Sequence, residues 1–460
     1  MVYILGLNSG SSFDGVDAVL CTIELAADGH PARPVYIDGL TVDWPKELQP
    51  QILKAFANEL TLFEMTRLNY VAGALYAEAA NALIKKNGLR PDDIDVIGYD
   101  GQTIYQEPPD RQKERDFVLS GSTSLVDKWL RGGYPCGLFI AESGVVAALT
   151  DVDTVTQFRP LDHALGGSAA PLMQYLDFVA FRDLKEEAVG DEQVQPVAVN
   201  GATYTNGDKS IASKPAFTVT LNIGGIANLQ LAHRDRSKMM AFDTGPGNVM
   251  IDHVVKARTG RAYDKDGALA ARGMVLPTLL AELLSHDFFA RTPPRSAWRL
   301  DFGADYADRI LAKYHDASTE DLLATMTRLT AVAIASSLVA FILPRTTSSP
   351  RVIASGGGTR NATLMRDLAS ELATHGLTLA TSDAYGLPAA YKEAIKFATL
   401  AFAAKRGLAN NIPAAGGATR YAVLGKLSLA PRRAKNAEPV VGRDERVLGL
   451  KFADTDTDTH

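Results

Sequence analysis

Residues 239–255 read MMAFDTGPGNVMIDHVV. A short apolar run, Met239 to Phe242, ends on the carboxylate Asp243. Thr244, Gly245, Pro246, Gly247 and Asn248 then turn the backbone into an amphipathic segment, so the order is strand, turn, helix. Glycine lacks Cβ and lets a ligand come close to the main chain, and the first N–H groups of a helix have no partner inside it. Those N–H groups are expected to face whatever sits in the turn. An acid in that position suits a base beside a bound phosphate; it equally suits a residue that only holds the turn together.

Working outward, two further glycine-turned segments bracket the first half of the chain. Val2–Leu7 and Val16–Ile23 read as strands joined by a loop rich in Gly, Ser and Asn: Asn8, Ser9, Gly10, Ser11, Ser12, Phe13, Asp14, Gly15. Such a loop presents N–H groups and hydroxyls to phosphate oxygens, and Asp14 is a candidate Mg2+ ligand acting through water. The pattern returns at Phe217–Ile223 and Ile226–Ala232, turned by Gly224 and Gly225 with Asn222 and Asn228 flanking them. Two such hairpins, one near the start of each half, predict two related lobes facing a cleft. Further on, Arg351–Ala354 opens into Gly356, Gly357 and Gly358 ahead of a helix, which leaves room for a flat group against the backbone. No GxxxxGK[ST] phosphate loop occurs, so a nucleotide would be held by another architecture.

Between these landmarks, Ile94–Tyr99 reads as a buried strand ending at Asp100, Gly101, Gln102 and Thr103, where side chains would point into a cleft at the sheet edge. Thr154–Phe158 is followed by Arg159 and Asp162, either sugar-binding or paired with each other, and by His163, read as a packed histidine. Residues 182–215 are polar with clustered acids and read as an inserted surface loop. Tyr263 to Gly267 reads as a solvated charged turn, and Arg295 and Arg299 as guanidinium groups facing an anionic cleft or simply exposed. Helices are expected at 45–58, 62–86, 141–149, 276–285, 304–315, 319–343 and 388–405, the last bearing Glu393. The expected lobes are 1–150 with about 388–428, and 151–387; 429–460 reads as a tail.

Composition sets limits on function. The 460 residues are 46% hydrophobic and 22% charged, enough for two substantial cores, and the net charge of −6 argues against a nucleic-acid binder using a basic face. Cys21 and Cys136 sit in apolar stretches, which points to core packing in a reducing compartment. The longest apolar run, Ala331 to Leu343, is interrupted by Ser336 and Ser337 and reads as a buried helix rather than a membrane span. With no signal-peptide pattern at the start, the expected location is cytoplasmic, without membrane or nucleic-acid partners. A homodimer is left open.

Taken together, Gly10 to Asp17 with Val16 between, Gly101-Gln102-Thr103, Asn222 to Asn228, Asp243 to Asn248, Tyr263 to Asp266 and Gly356 to Gly358 resemble the anhydro-N-acetylmuramic acid kinase family. That family lies within the sugar kinase, Hsp70 and actin superfamily. The Leu7-Asn8-Ser9-Gly10 opening is similar to its levoglucosan kinase branch. The resemblance implies an α/β fold of two ribonuclease-H-like lobes around a central cleft. It also implies an ATP- and Mg2+-dependent kinase that opens a 1,6-anhydro bridge with water and phosphorylates O6, on levoglucosan or 1,6-anhydro-N-acetylmuramic acid. By position Asp243 is then the catalytic base. Gly10, Ser11, Ser12, Phe13, Asp14, Gly15, Val16, Asp17, Gly224, Gly225, Asn228, Gly356, Gly357, Gly358 and Glu393 hold ATP, with Asp14 at the metal. Gln102, Thr103, Gln157, Arg159 and Asp162 face the sugar. The chain departs from the family pattern at Asp100, Gln157, Ser168 and Ala297 to Leu300, including Trp298, mostly on the sugar side. A weakened paralogue that binds nucleotide and sugar as a sensor is therefore the alternative.

Overall fold

The computed structural model describes residues 2–10, 15–184, 218–297, 299–345 and 351–434. Ser11, Ser12, Phe13, Asp14, most of the polar insertion, Trp298 and the tail from 435 lie outside the described residues.

The strands, in chain order, are β1 (Val2–Asn8), β2 (Gly15–Ile23), β3 (Val35–Asp43), β4 (Ile94–Gly98), β5 (Gln102–Glu107), β6 (Cys136–Ile140) and β7 (Thr154–Thr156), then β8 (Thr218–Ile223), β9 (Ile226–Ala232), β10 (Met240–Pro246), β11 (Arg351–Ser355), β12 (Leu379–Thr381) and β13 (Lys426–Ser428). One sheet has the order β13-β7-β4-β1-β2-β3 and another β10-β9-β8-β11-β12. In the first, β1–β2 and β2–β3 are antiparallel while β1–β4 and β4–β7 are parallel. In the second, β8–β9 and β9–β10 are antiparallel while β8–β11 and β11–β12 are parallel. Order and direction are thus repeated, and these are the two expected ribonuclease-H-like lobes. The boundary expected at residue 150 falls too early, because β7 completes the parallel side of the first sheet. The tail likewise begins later than 429, since the Ala430 N–H donates to Asp153 Oδ1 and holds that segment against the first lobe.

Alternation along the strands builds the layers. On β1, Leu5 and Leu7 face the long helix Leu62–Lys86, whose Thr61 and Glu64 form a reciprocal capping box. Ile4 faces the opposite side, toward Phe397 and Ala398 of the helix Lys392–Lys405. That helix lies unusually close to the sheet: a Cβ on Gly6 would fall 2.0 Å from the Ala394 oxygen, and one on Gly98 would fall 2.2 Å from that of Phe397. In the second lobe, Val219, Leu221 and Ile223 pack under the helices Thr319–Phe341 and Ala362–Ala373. Thr319–Arg345 is long and apolar enough to cross a membrane, and here most of it is buried within the fold.

A separate cluster unites the lobes. Val19 and Cys21 of the first sheet and Ala232 and Ile353 of the second pack on Met173, Leu176 and Phe181 of the helix Met173–Phe181 and on Ile395. Cys21 is a core residue as expected; Cys136 is exposed, because it opens the edge strand β6.

Candidate active site

The residues expected to carry chemistry collect at the carboxyl ends of β1, β4, β8 and β11, where an open α/β sheet leaves strand ends free for ligands. One carboxylate joins the two lobes there. Glu393 accepts from Asn8 Nδ2 at 3.2 Å and from Asn222 Nδ2 at 3.0 Å. The two asparagines occupy equivalent places: Asn8 pairs with Asp17 across the first hairpin, and Asn222 with Asn228 across the second. Glu393, expected at the nucleotide, is therefore also the tie between the two hairpins.

Asp243 sits next to Asn228 in register, near the end of β10, with a bulge between it and Gly245. The strand runs on to Pro246, so the turn begins three residues later than the sequence suggests. Asp243 is buried and its Oδ2 accepts the Ala297 N–H at 2.8 Å. Burial pushes its carboxyl up to about 7, with the Ala297 hydrogen bond and the Arg295 charge opposing that rise. Arg295 does not face the cleft. Its Nε donates to the Asp243 carbonyl, Nη1 to the Arg291 carbonyl and Nη2 to Ser337 Oγ, and its guanidinium lies over the Phe288 ring. It is a tether that fixes the backbone carrying the acid.

The turn after Asp243 corrects a second expectation. The N–H groups of Gly247 and Val249 donate to the Gly225 carbonyl and that of Asn248 to the Gly224 carbonyl, so they bind the second hairpin rather than an incoming ligand. The approach requires glycine, because a Cβ on Gly247 would lie 2.3 Å from the Gly224 oxygen. Asp243 is thereby locked to Gly224, Gly225 and Asn228 through the main chain. Nearby, Gly356 takes φ +89° against Asn222, while Gly357 has no atom within 4 Å of its would-be Cβ, leaving open space before the backbone. The Tyr263–Gly267 turn is solvated at Tyr263, Lys265 and Asp266, as expected, but Asp264 is buried and accepts from Leu269 and Ala270, and Thr363 Oγ1 donates to the Gly267 carbonyl.

On the sugar side the expected residues are more engaged with the protein than the sequence suggests. Asp100 accepts from the Phe158 N–H at 2.9 Å and from Arg159 Nε at 2.5 Å, and Arg159 Nη1 donates to the Ala169 carbonyl at 2.5 Å. Asp100 thereby holds the turn in which Gln157 adopts φ +54°, a left-handed conformation uncommon outside glycine. Asp162 is buried beneath the loop 166–169. Its Oδ2 accepts from Ala169, and a Cβ on Gly167 would fall 2.2 Å from that oxygen, so it shapes the loop from below rather than facing a ligand. Gln102 is also turned inward, accepting from Ser9 Oγ at 2.7 Å, with Trp44 Nε1 donating to the same hydroxyl. It joins the sugar-side strand β5 to the loop containing Gly10; Thr103 beside it is half-buried. His163 is a packed residue as expected, and burial lowers its pKa to about 4.

Two lysines escape a motif-based reading. Lys392 forms an ion pair of 2.7 Å with Asp177, both side chains wholly buried. Lys396 is buried beside Glu393, Asp100 and Arg159, and desolvation lowers its pKa to about 8. The available signal is that Lys392, Glu393 and Lys396 lie in the first turns of a helix, 392–405, that is otherwise uncharged up to its final Lys405.

The family model described as anhydro-N-acetylmuramic acid kinase matches residues 2–191 and 205–430. The chain belongs to the anhydro-N-acetylmuramic acid kinase family. Among its relatives of that name, the protein from Caldanaerobacter subterraneus subsp. tengcongensis is 35% identical over 434 residues, covering 93% of this chain and 96% of its own length. A Bacillus cereus protein is 30% identical, covering 94% of this chain and 100% of its own, and the Clostridioides difficile (strain 630) protein is 30% identical, covering 94% and 99%. Membership makes the chain a sugar kinase, a phosphotransferase that uses ATP and an alcohol acceptor.

Proposed function

We propose that this kinase opens the 1,6-anhydro bridge of a sugar with water and phosphorylates the released O6 with ATP. The observation that carries the reading is Asp243: a buried carboxylate with a pKa near 7, held by the Ala297 N–H and locked to the second glycine-turned hairpin. A carboxylate tuned to neutrality is matched to proton abstraction at physiological pH. In the proposed step Asp243 takes a proton from water as the water oxygen bonds to C1. The C1–O6 bond breaks, and O6 bonds to the γ-phosphorus as ADP leaves. Bridge opening thus supplies the alcohol that the kinase then phosphorylates.

Gly10 to Asp17, Gly224, Gly225, Asn228 and Gly356 to Gly358 would hold ATP, the open space before Gly357 being the observation that fits a flat group. Among the described residues no cluster of three or more His, Cys, Asp or Glu side chains is poised for a metal. Mg2+ in kinases needs only one or two carboxylates, the remainder of its shell coming from phosphates and water. Asp14, with Asp17 of β2 and Glu393 in the first turn of the helix 392–405, would be the acids that hold it, and it would neutralise charge on the transferring phosphate. Arg159 and Thr103, with Gln157, would border the sugar, while Asp100, Asp162 and Gln102 hold that wall in place. The Leu7-Asn8-Ser9-Gly10 opening favours levoglucosan as acceptor. ATP consumption fits a cytoplasmic location.

The substrate is tested by ADP release from the purified protein with ATP and Mg2+, adding levoglucosan or 1,6-anhydro-N-acetylmuramic acid separately. Release dependent on levoglucosan is expected. Release with the muramic sugar alone would move the acceptor to the peptidoglycan type, and silence with both, in a protein that binds ATP, would support the sensor reading instead.

A further inference from the structure

The helix Lys392–Lys405 carries three lysines, and two of them have partners. Lys392 is paired with Asp177 at 2.7 Å, and Lys405 with Asp153 at 2.8 Å and Asp95 at 3.2 Å. Lys396 differs. It is only 6% exposed, yet among the described residues its ammonium donates no hydrogen bond and forms no ion pair; it lies 4.2 Å from the centroid of the Phe397 ring. Four charged side chains stand around it, Glu393, Arg159, Asp100 and Lys392. Each is already engaged: Glu393 by Asn8 and Asn222, Arg159 and Asp100 by each other, Lys392 by Asp177. Burial lowers the Lys396 pKa to about 8, so the group still carries its charge at neutral pH. An unpaired buried ion is costly for a fold to carry, and in a cleft it marks a group that meets a ligand.

The position of Lys396 indicates which ligand this is. Glu393 and Lys396, three residues apart, share one face of the helix. Glu393 joins the two glycine-turned hairpins on the nucleotide side, Asp100 and Arg159 build the wall on the sugar side, and Lys396 is within electrostatic reach of both. What passes from one side to the other in a sugar kinase is a phosphoryl group, with its charge spread over three peripheral oxygens. We propose that Lys396 is a catalytic residue that binds the phosphoryl group in transfer, donating hydrogen bonds to its peripheral oxygens and holding the phosphate once it is on the sugar. The ammonium keeps its protons throughout and contributes charge alone, in a buried setting where charge acts strongly. Because the interaction is made with the phosphate and not with the unphosphorylated sugar, it raises turnover rather than acceptor affinity. An anionic substituent on the acceptor is the competing occupant, and it would be felt in acceptor binding instead. This role rests on the cleft being that of a sugar kinase and is independent of how a 1,6-anhydro bridge is opened.

The test is Lys396→Met, with Lys396→Gln as a second variant that keeps a donor without the charge. Three readouts are needed: steady-state kinetics, urea denaturation, and calorimetry with the acceptor that wild type turns over and with the phosphorylated product made from it. Turnover and product affinity are expected to fall roughly 10- to 100-fold, the worth of one charge-assisted hydrogen bond, while affinity for the unphosphorylated sugar stays within about twofold. The urea midpoint at neutral pH should be no lower than that of wild type, because removing an unpaired ion orphans no partner; Lys392→Met, on the same helix, should move the other way. Unchanged turnover in both variants, a loss of turnover matched by a loss of stability, or an equal weakening of the unphosphorylated acceptor overturns the proposal. A wild type without sugar-dependent ADP release removes the kinase reading and this role together, whereas an active wild type with unaffected variants removes this role alone.

Discussion

Asp243→Asn is expected to lower turnover by roughly 100- to 10,000-fold, the usual worth of a general base, while ATP affinity stays nearly unchanged. The same substitution should stabilise the fold at alkaline pH. The carboxyl of Asp243 is raised from 3.8 to about 7 because burial disfavours the charged form. Below the unfolded value both states carry the proton and the residue contributes no pH-dependent difference. As pH rises through the window from 3.8 to about 7, the unfolded chain ionises while the folded one keeps its proton, so stability falls. A shift of this size corresponds to about 4 kcal/mol, fully expressed above neutrality. Asparagine keeps an oxygen for the Ala297 N–H and does not ionise. Urea midpoints for wild type and variant should therefore coincide near pH 4 and separate by pH 8, with the variant more stable. Wild-type turnover in the variant, or a stability difference independent of pH, would refute the role given to this acid.

Lys392→Met is expected to destabilise the protein by about 3 to 5 kcal/mol, the range for a buried ion pair that loses one partner. The pair spans three elements. Lys392 comes from the helix 392–405 and Asp177 from the helix 173–181, and Thr220 Oγ1 of β8 donates to Asp177 at 2.6 Å. Removing the ammonium leaves a wholly buried carboxylate with only neutral donors, the Thr220 hydroxyl and the Gln230 amide. Removing both charges, in Lys392→Met/Asp177→Asn, should restore most of the lost stability, because the cost lies in the orphaned charge and not in the absent bridge. A single variant within 1 kcal/mol of wild type, or a double variant no better than the single, would contradict this.

These expectations show how much of the molecule is written locally. The two hairpins, the Asp243 turn and the triple glycine are legible because close backbone approach, as at Gly247, and left-handed backbone conformation, as at Gly356, restrict residue type. The long helix 62–86 appears with its cap because Thr61 and Glu64 are neighbours in sequence. The strand Val35–Asp43 is missed, since it is an edge strand half exposed on both faces and lacks strong alternation. The helices between β5 and β6 are missed for a related reason: their apolar residues are not buried within the chain, so the pattern does not correspond to a core. The sugar-side roles are the least legible. Asp100, Asp162 and Gln102 look like groups released into a cleft, and only tertiary contacts show them bonded to Arg159, Ala169 and Ser9. Glu393 reaches Asn8 across 385 positions, a distance at which local pattern carries no information.

The central claim is that one turnover adds both water and phosphate to the sugar. Mass spectrometry of the product formed from levoglucosan or 1,6-anhydro-N-acetylmuramic acid, whichever is turned over, reads this directly. The product should gain the mass of one phosphoryl group plus one water, with the phosphate on O6. A product that gains the phosphoryl group alone, its bridge intact, or an opened sugar without phosphate, would contradict the account.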